Sequence, residues 1–67
     1  MQHTCYHILS DQNTNHISSF SELKKLASDW KYKGDSNIRV YKIVATEVGS
    51  DEISIQEILL PSDEIFN

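Results

Sequence analysis

The sequence predicts an α+β fold, a single small domain over residues 1–67 in which an antiparallel β-sheet carries one amphipathic helix on one face. Three observations predict it. A capped segment with one apolar stripe runs from Ser19 to Gly34. Two β-rich segments follow, parted by Gly49-Ser50. A further β-rich segment, TCYHIL, lies near the start.

The helix has signals at both ends. Ser19, with Glu22 three residues on, is a capping box. Gly34 supplies the stop, and Lys31 and Lys33 suit the negative helix end. At about 100° per residue, Phe20, Leu23, Leu26, Ala27 and Trp30 gather on one side. Ser21, Lys24, Lys25, Ser28 and Asp29 take the other.

Residues 37–48 and 53–60 read as a long hairpin. A two-residue turn at Gly49-Ser50 pairs Val48 with Asp51. That register sets Val44 against Ile55, Lys42 against Glu57 and Val40 against Leu59. The Lys42–Glu57 match favours it, because opposite charges then meet across the ladder. One face would carry Ile38, Val40, Val44, Val48, Ile55 and Leu59, and the helix is expected there. The other would carry Tyr41, Ile43, Ala45, Ile58 and Leu60, with Arg39 and Gln56. That second face is too apolar for comfortable exposure and needs a cover. A bulge near Lys42 or Gln56 would swap faces partway.

The N-terminal part leaves two patterns open. DQNTN at residues 11–15 is a cluster of turn formers. If His16-Ile17-Ser18 is a return strand, the order is ββαββ; if residues 10–18 are a loop, it is βαββ. Pro61 ends the last strand. Residues 61–67 read as a tail that is flexible, forms a helical turn, or docks Ile65 and Phe66 on an apolar surface.

Composition bounds the function classes. The net charge of −4 argues against general nucleic-acid binding. All six bases (Lys24, Lys25, Lys31, Lys33, Arg39, Lys42) lie within residues 24–42, and residues 43–67 hold six acids and no base. Cys5 is the single cysteine, which excludes an internal disulfide and fits an intracellular setting. Nothing resembles a membrane span or a leader, so a cytoplasmic protein is expected.

Candidate chemistry is sparse. His3, Cys5 and His7 share one face if they lie on a strand, and zinc would need His16 as a further ligand. The preferred reading of these residues is an ordinary strand face with a buried cysteine and polar neighbours. Met1-Gln2-His3, with a free amine, could chelate copper or nickel. Cys5 with His7 lacks the orienting group and oxyanion site that nucleophilic catalysis needs. No phosphate-cradling loop or nucleophile elbow is present. No catalytic, metal or cofactor site is assigned, and no enzymatic activity is expected. Trp30-Lys31-Tyr32-Lys33, with Arg39, Tyr41 and Lys42, interleaves bases and aromatics, as single-strand binders do. The acids after residue 43 could instead mimic phosphates, or simply solvate a sheet edge.

The order of strand, polar turn, short strand, capped helix and long hairpin resembles small proteins of bacteriophages and mobile elements, including some anti-CRISPR proteins. Tyr6-His7-Ile8-Leu9, Ser19-Phe20-Ser21-Glu22-Leu23 and Val40-Tyr41-Lys42-Ile43 carry the resemblance. It implies a non-enzymatic protein that binds and sterically blocks a larger host complex, one that handles nucleic acid or mounts a defence. The expected partner surface is Tyr41, Ile43, Ile58 and Leu60 with Arg39 at the rim; Lys24, Lys25 and Lys31 on the helix form the second candidate. The alternatives are a structural homodimer with its function elsewhere, and an RNA- or DNA-binding protein that uses the Lys24–Lys42 segment. No membrane partner is expected.

Overall fold

The computed structural model describes residues 2–66. The element order is β1 (Gln2–Leu9), β2 (Thr14–Ile17), α1 (Phe20–Tyr32), β3 (Arg39–Glu47), β4 (Ile53–Leu59) and α2 (Ser62–Ile65). The four strands form one antiparallel sheet in the order β2-β1-β3-β4. The ββαββ pattern therefore holds, and residues 10–18 contain the return strand.

Helix α1 begins and ends where its cap residues dictate. Ser19 has extended backbone, and its hydroxyl accepts from the Glu22 N–H at 3.5 Å. At the other end the Asp35 N–H donates to the Trp30 carbonyl and the Gly34 N–H to the Lys31 carbonyl. These two bonds make a Schellman closure, which requires a left-handed residue after the helix. Gly34 supplies it at φ 94°.

Antiparallel pairing of β1 with β3 sets Ile8 opposite Val40. Both are fully buried, and Leu23, Ala27 and Trp30 of α1 close over them. Ile65 completes this core at 2% exposure. Residues 61–66 thus dock instead of forming a free tail. Phe66 packs at the margin of the core, with the Lys31 ammonium 4.7 Å from its ring centroid.

The core occupies one end of the sheet. Nine-residue β3 runs for roughly 30 Å, whereas thirteen-residue α1 spans only roughly 20 Å. The molecule is accordingly long, 45 × 21 × 16 Å. Its radius of gyration is 13.3 Å, against about 11 Å for a compact chain of this length.

The β3–β4 register differs from the sequence expectation by one residue. Ile43 faces Glu57, Val44 faces Gln56 and Ala45 faces Ile55. The Val48 N–H donates to the Glu52 carbonyl, so three residues, Gly49 to Asp51, make the turn. Gly49 does not adopt the positive φ that a two-residue turn with glycine first requires. A one-residue slip inverts every side chain of a strand. Ile58 and Leu60 therefore lie on the helix side, and Ile53, Ile55, Glu57 and Leu59 lie on the other. The polar content agrees with this. Beyond the reach of α1, the helix side carries Thr4, Thr46, Ser54 and Gln56, with Val44 as its apolar exception.

Two measurements check these elements. A cross-strand Hα–Hα Overhauser contact is expected between Ile43 and Glu57, a directly opposed pair, and not between Lys42 and Glu57. Gly34→Ala places a Cβ in open space but at an unfavourable φ. It should cost about 1 kcal/mol in urea unfolding.

Candidate functional site

The site is the face of the sheet turned away from α1. Pairing puts His3, Cys5, His7 and Leu9 of β1 on this face with Thr14 and His16 of β2. It adds Arg39, Tyr41, Ile43, Ala45 and Glu47 of β3, and Ile53, Ile55, Glu57 and Leu59 of β4. No element of the described chain crosses it. Ile53 and Ile55 are each 65% exposed and Leu59 is 59% exposed. Tyr41 and Ile43, on the inner strand β3, are half-buried by their neighbours.

The face has three zones. Near β2 it is aromatic and polar. The His7 and His16 rings stack with centroids 4.1 Å apart, and His7 Nε2 lies 2.9 Å from the Thr14 hydroxyl. In the middle run Cys5, Tyr41, Ile43 and Ala45. Along β4 lies the exposed aliphatic row, interrupted by Glu57. Beyond it the hairpin tip is acidic, with Glu47, Asp51 and Glu52 around the turn.

Of the residues expected to meet a partner, Arg39, Tyr41 and Ile43 are on this face. Ile58 and Leu60 are not. Leu60 packs against the core, and Ile58, 46% exposed, flanks it on the helix side. Ile53, Ile55 and Leu59 take their place; the shorter turn of the sequence expectation puts Ile55 and Leu59 on the covered face. The signal available in sequence was the pair Ser54 and Gln56, which suit the solvated stretch of the helix side beyond the end of α1.

The three helix lysines do not form one surface. Lys24 sits 5.8 Å above the Phe20 ring and Lys31 over Phe66, both on the flank toward α2. Lys25 lines the opposite flank, in an open groove of about 450 Å³ with Asn15, Ile17, Glu22 and Leu26. Lys33 is paired with Asp29 at 3.0 Å. Trp30 is buried, Tyr32 is 92% exposed, and Arg39 and Tyr41 lie across the sheet from the helix. The basic and aromatic segment is thus dispersed over several sides of the molecule.

His3, Cys5 and His7 do share a face, as their alternation predicts. Among the described residues, no three His, Cys, Asp or Glu side chains converge on a common point for a metal ion. The Met1-Gln2-His3 chelate involves Met1, which lies outside the described residues. No helix among the described residues is long and apolar enough to cross a membrane.

Loop packing fixes the β2 end of the face. Asp11 accepts from the Ser36 hydroxyl at 2.9 Å and from the Asn37 amide at 3.0 and 3.2 Å. The Asp11 N–H donates to the Ser36 carbonyl, and the Asn13 amide donates to Asp35 at 2.7 Å. Asn37 holds a left-handed φ of 57°, which asparagine tolerates better than most residues. Its carbonyl accepts from Arg39 Nε at 3.1 Å and so orients the rim guanidinium. The hydrogen bonds from Asn37 and Ser36 lower the Asp11 pKa, with Arg39 adding a smaller pull.

No protein-family model, curated protein or solved structure matches this chain.

Asp11 makes the clamp pH-dependent. Its folded pKa lies below its unfolded value, so its stabilisation is complete above the ordinary aspartate range. It is lost as pH falls through the lowered folded value. Thermal melts of Asp11→Asn should lie below wild type at pH 7, with the gap closing as acid takes the pH below the ordinary aspartate range.

Proposed function

We propose that this protein is a non-enzymatic binding module that engages a protein partner through the open sheet face and acts by steric occlusion. The observation that carries the reading is the exposed row Ile53, Ile55 and Leu59 beside Tyr41 and Ile43. A monomer of this size gains nothing in stability from aliphatic side chains left in water, whereas a partner that covers them removes apolar area at about 25 cal/mol per Å². Tyr41 suits the role of an anchor, because it carries a large apolar ring with a polar end at low entropic cost. Arg39, already oriented by Asn37, supplies a charged rim. The acidic tip favours approach to a basic surface.

The resemblance to phage-encoded inhibitors directs this reading toward a host nucleic-acid-handling or defence complex as the partner, with the site moved to the β3–β4 row. The dispersed lysines make a direct nucleic-acid grip the weaker reading.

Substitution on each face separates these readings. Tyr41→Ala and Ile55→Glu should each reduce capture of the partner by at least tenfold in a quantified affinity pull-down, with circular dichroism unchanged. Lys25→Glu, in the groove on the other side, should leave capture as in wild type. Capture that survives both sheet-face variants would overturn the site. Binding to mixed RNA and DNA that falls steeply with salt, and falls further with Lys25→Glu, would replace the reading with a nucleic-acid one.

A further inference from the structure

The two edges of the sheet are built differently. Edge β2 has four residues, with polar Thr14, Asn15 and His16. Edge β4 has seven residues, all exposed. It contains no lysine, no arginine and no proline within the strand, and its pairing to β3 runs in unbroken register from Glu47–Ile53 to Tyr41–Leu59. Shortness, basic residues, proline and bulges are devices that protein edges use to refuse another strand, and β4 has none of these; Glu57 is its single charged side chain.

The hydrogen-bond phase of this edge can be read from its two ends. The Val48 N–H donates to Glu52 and the Leu60 N–H donates to Val40. In an antiparallel ladder, hydrogen-bonded pairs alternate with non-bonded ones. Residues 52, 54, 56, 58 and 60 therefore turn their backbone groups toward β3. Ile53, Ile55, Glu57 and Leu59 turn theirs outward, where no strand of the described chain meets them.

We infer that β4 pairs antiparallel with β4 of a second copy of this chain, about a two-fold axis at Gln56, to give a continuous eight-stranded sheet. This inference goes beyond the proposed function and rests on the backbone edge, not on the open face. In this register Ile53 opposes Leu59 of the second copy and Ile55 opposes its Glu57, each in both directions. All four outward residues then exchange both backbone hydrogen bonds. Moving the axis to Ile55 leaves Leu59 unpaired. Moving it to Glu57 sets two carboxylates directly opposite one another, which is unfavourable. Charge and hydrogen-bond number thus select the same arrangement, and a second copy is an occupant whose pattern satisfies it at every outward position. The contact is a strip of roughly 23 Å, narrower than a standard protein interface, so the dimer dissociates on dilution. The pairing also joins the two open faces side by side, which doubles the aliphatic platform offered to a partner.

Light scattering and disulfide trapping test this on the full chain. Wild type should shift from monomer toward dimer as concentration rises to about 1 mM. Glu57→Pro removes an outward N–H that the monomer does not use, and should stay monomeric with an unchanged circular dichroism spectrum. Ile43→Lys, a charge at the centre of the open face that meets Glu57 across the ladder, should dimerise as wild type does. In a Cys5→Ser background, Gln56→Cys places two thiols across the axis at a non-bonded pair, within disulfide reach. It should form a covalent dimer on mild oxidation. Ile55→Cys, displaced along the strands from its own copy, should not. A wild type that remains monomeric with no Gln56→Cys disulfide would overturn the inference. So would a dimer that Ile43→Lys abolishes and Glu57→Pro spares, because the open faces would then be packing together. A disulfide at position 55 in place of 56 would overturn the register.

Discussion

The pairing of Ile8 with Val40 across β1 and β3 is the contact on which the remaining structure depends. Both side chains are removed from water, and Leu23 and Ala27 can seat only above them. Once these two point toward the helix, strand alternation settles the direction of every other residue on β1 and β3. His7, Tyr41 and Ile43 must then point away. The open face is thus a geometric consequence of the core and not a separate design.

Such a core is small, with six buried side chains among the described residues. Its position at one end of a long sheet leaves the β3–β4 hairpin projecting as an arm. The docked Ile65 matters in this setting, because it closes a side of the core that α1 alone would leave wet. The clamp around Asp11 plays a matching part at the loop end. It ties the β1–β2 turn to the segment between α1 and β3 through hydrogen bonds alone. Apolar packing holds the centre, and polar loop contacts hold the end at which Arg39 is presented.

Small domains leave apolar surface exposed for lack of polar area to cover it, so single exposed aliphatics carry little meaning. The row on β4 is different because it is contiguous, lies on a strand with free backbone groups, and adjoins Tyr41 and Ile43 on the same face. A side-chain surface suited to a partner and a backbone edge suited to a strand meet on one element. The two engage different atoms, so occupancy of one does not preclude the other.

The sequence by itself determined the elements. The Ser19 cap, the Gly34 stop and the stripe from Leu23 to Trp30 are local signals, and local signals survive folding because their partners lie within a turn of the chain. The same holds for β1, β3 and β4, and for the alternation that brings His3, Cys5 and His7 to one face; β2 and α2 stayed open, because pairing with β1 and docking under α1 decide them. Only the tertiary structure decided which face of β4 is open. Its apolar residues, Ile53, Ile55, Ile58 and Leu59, with Leu60 just beyond, supply both faces, so hydrophobic pattern leaves two registers nearly equal. One extra turn residue selects between them, and the Lys42–Glu57 charge match favoured the wrong one. An exposed ion pair contributes too little to set a register. Burial of Leu60 beside Val40 and of Ile65 beneath α1 contributes more, and it exists only once the helix, the sheet and the C-terminal turn have come together.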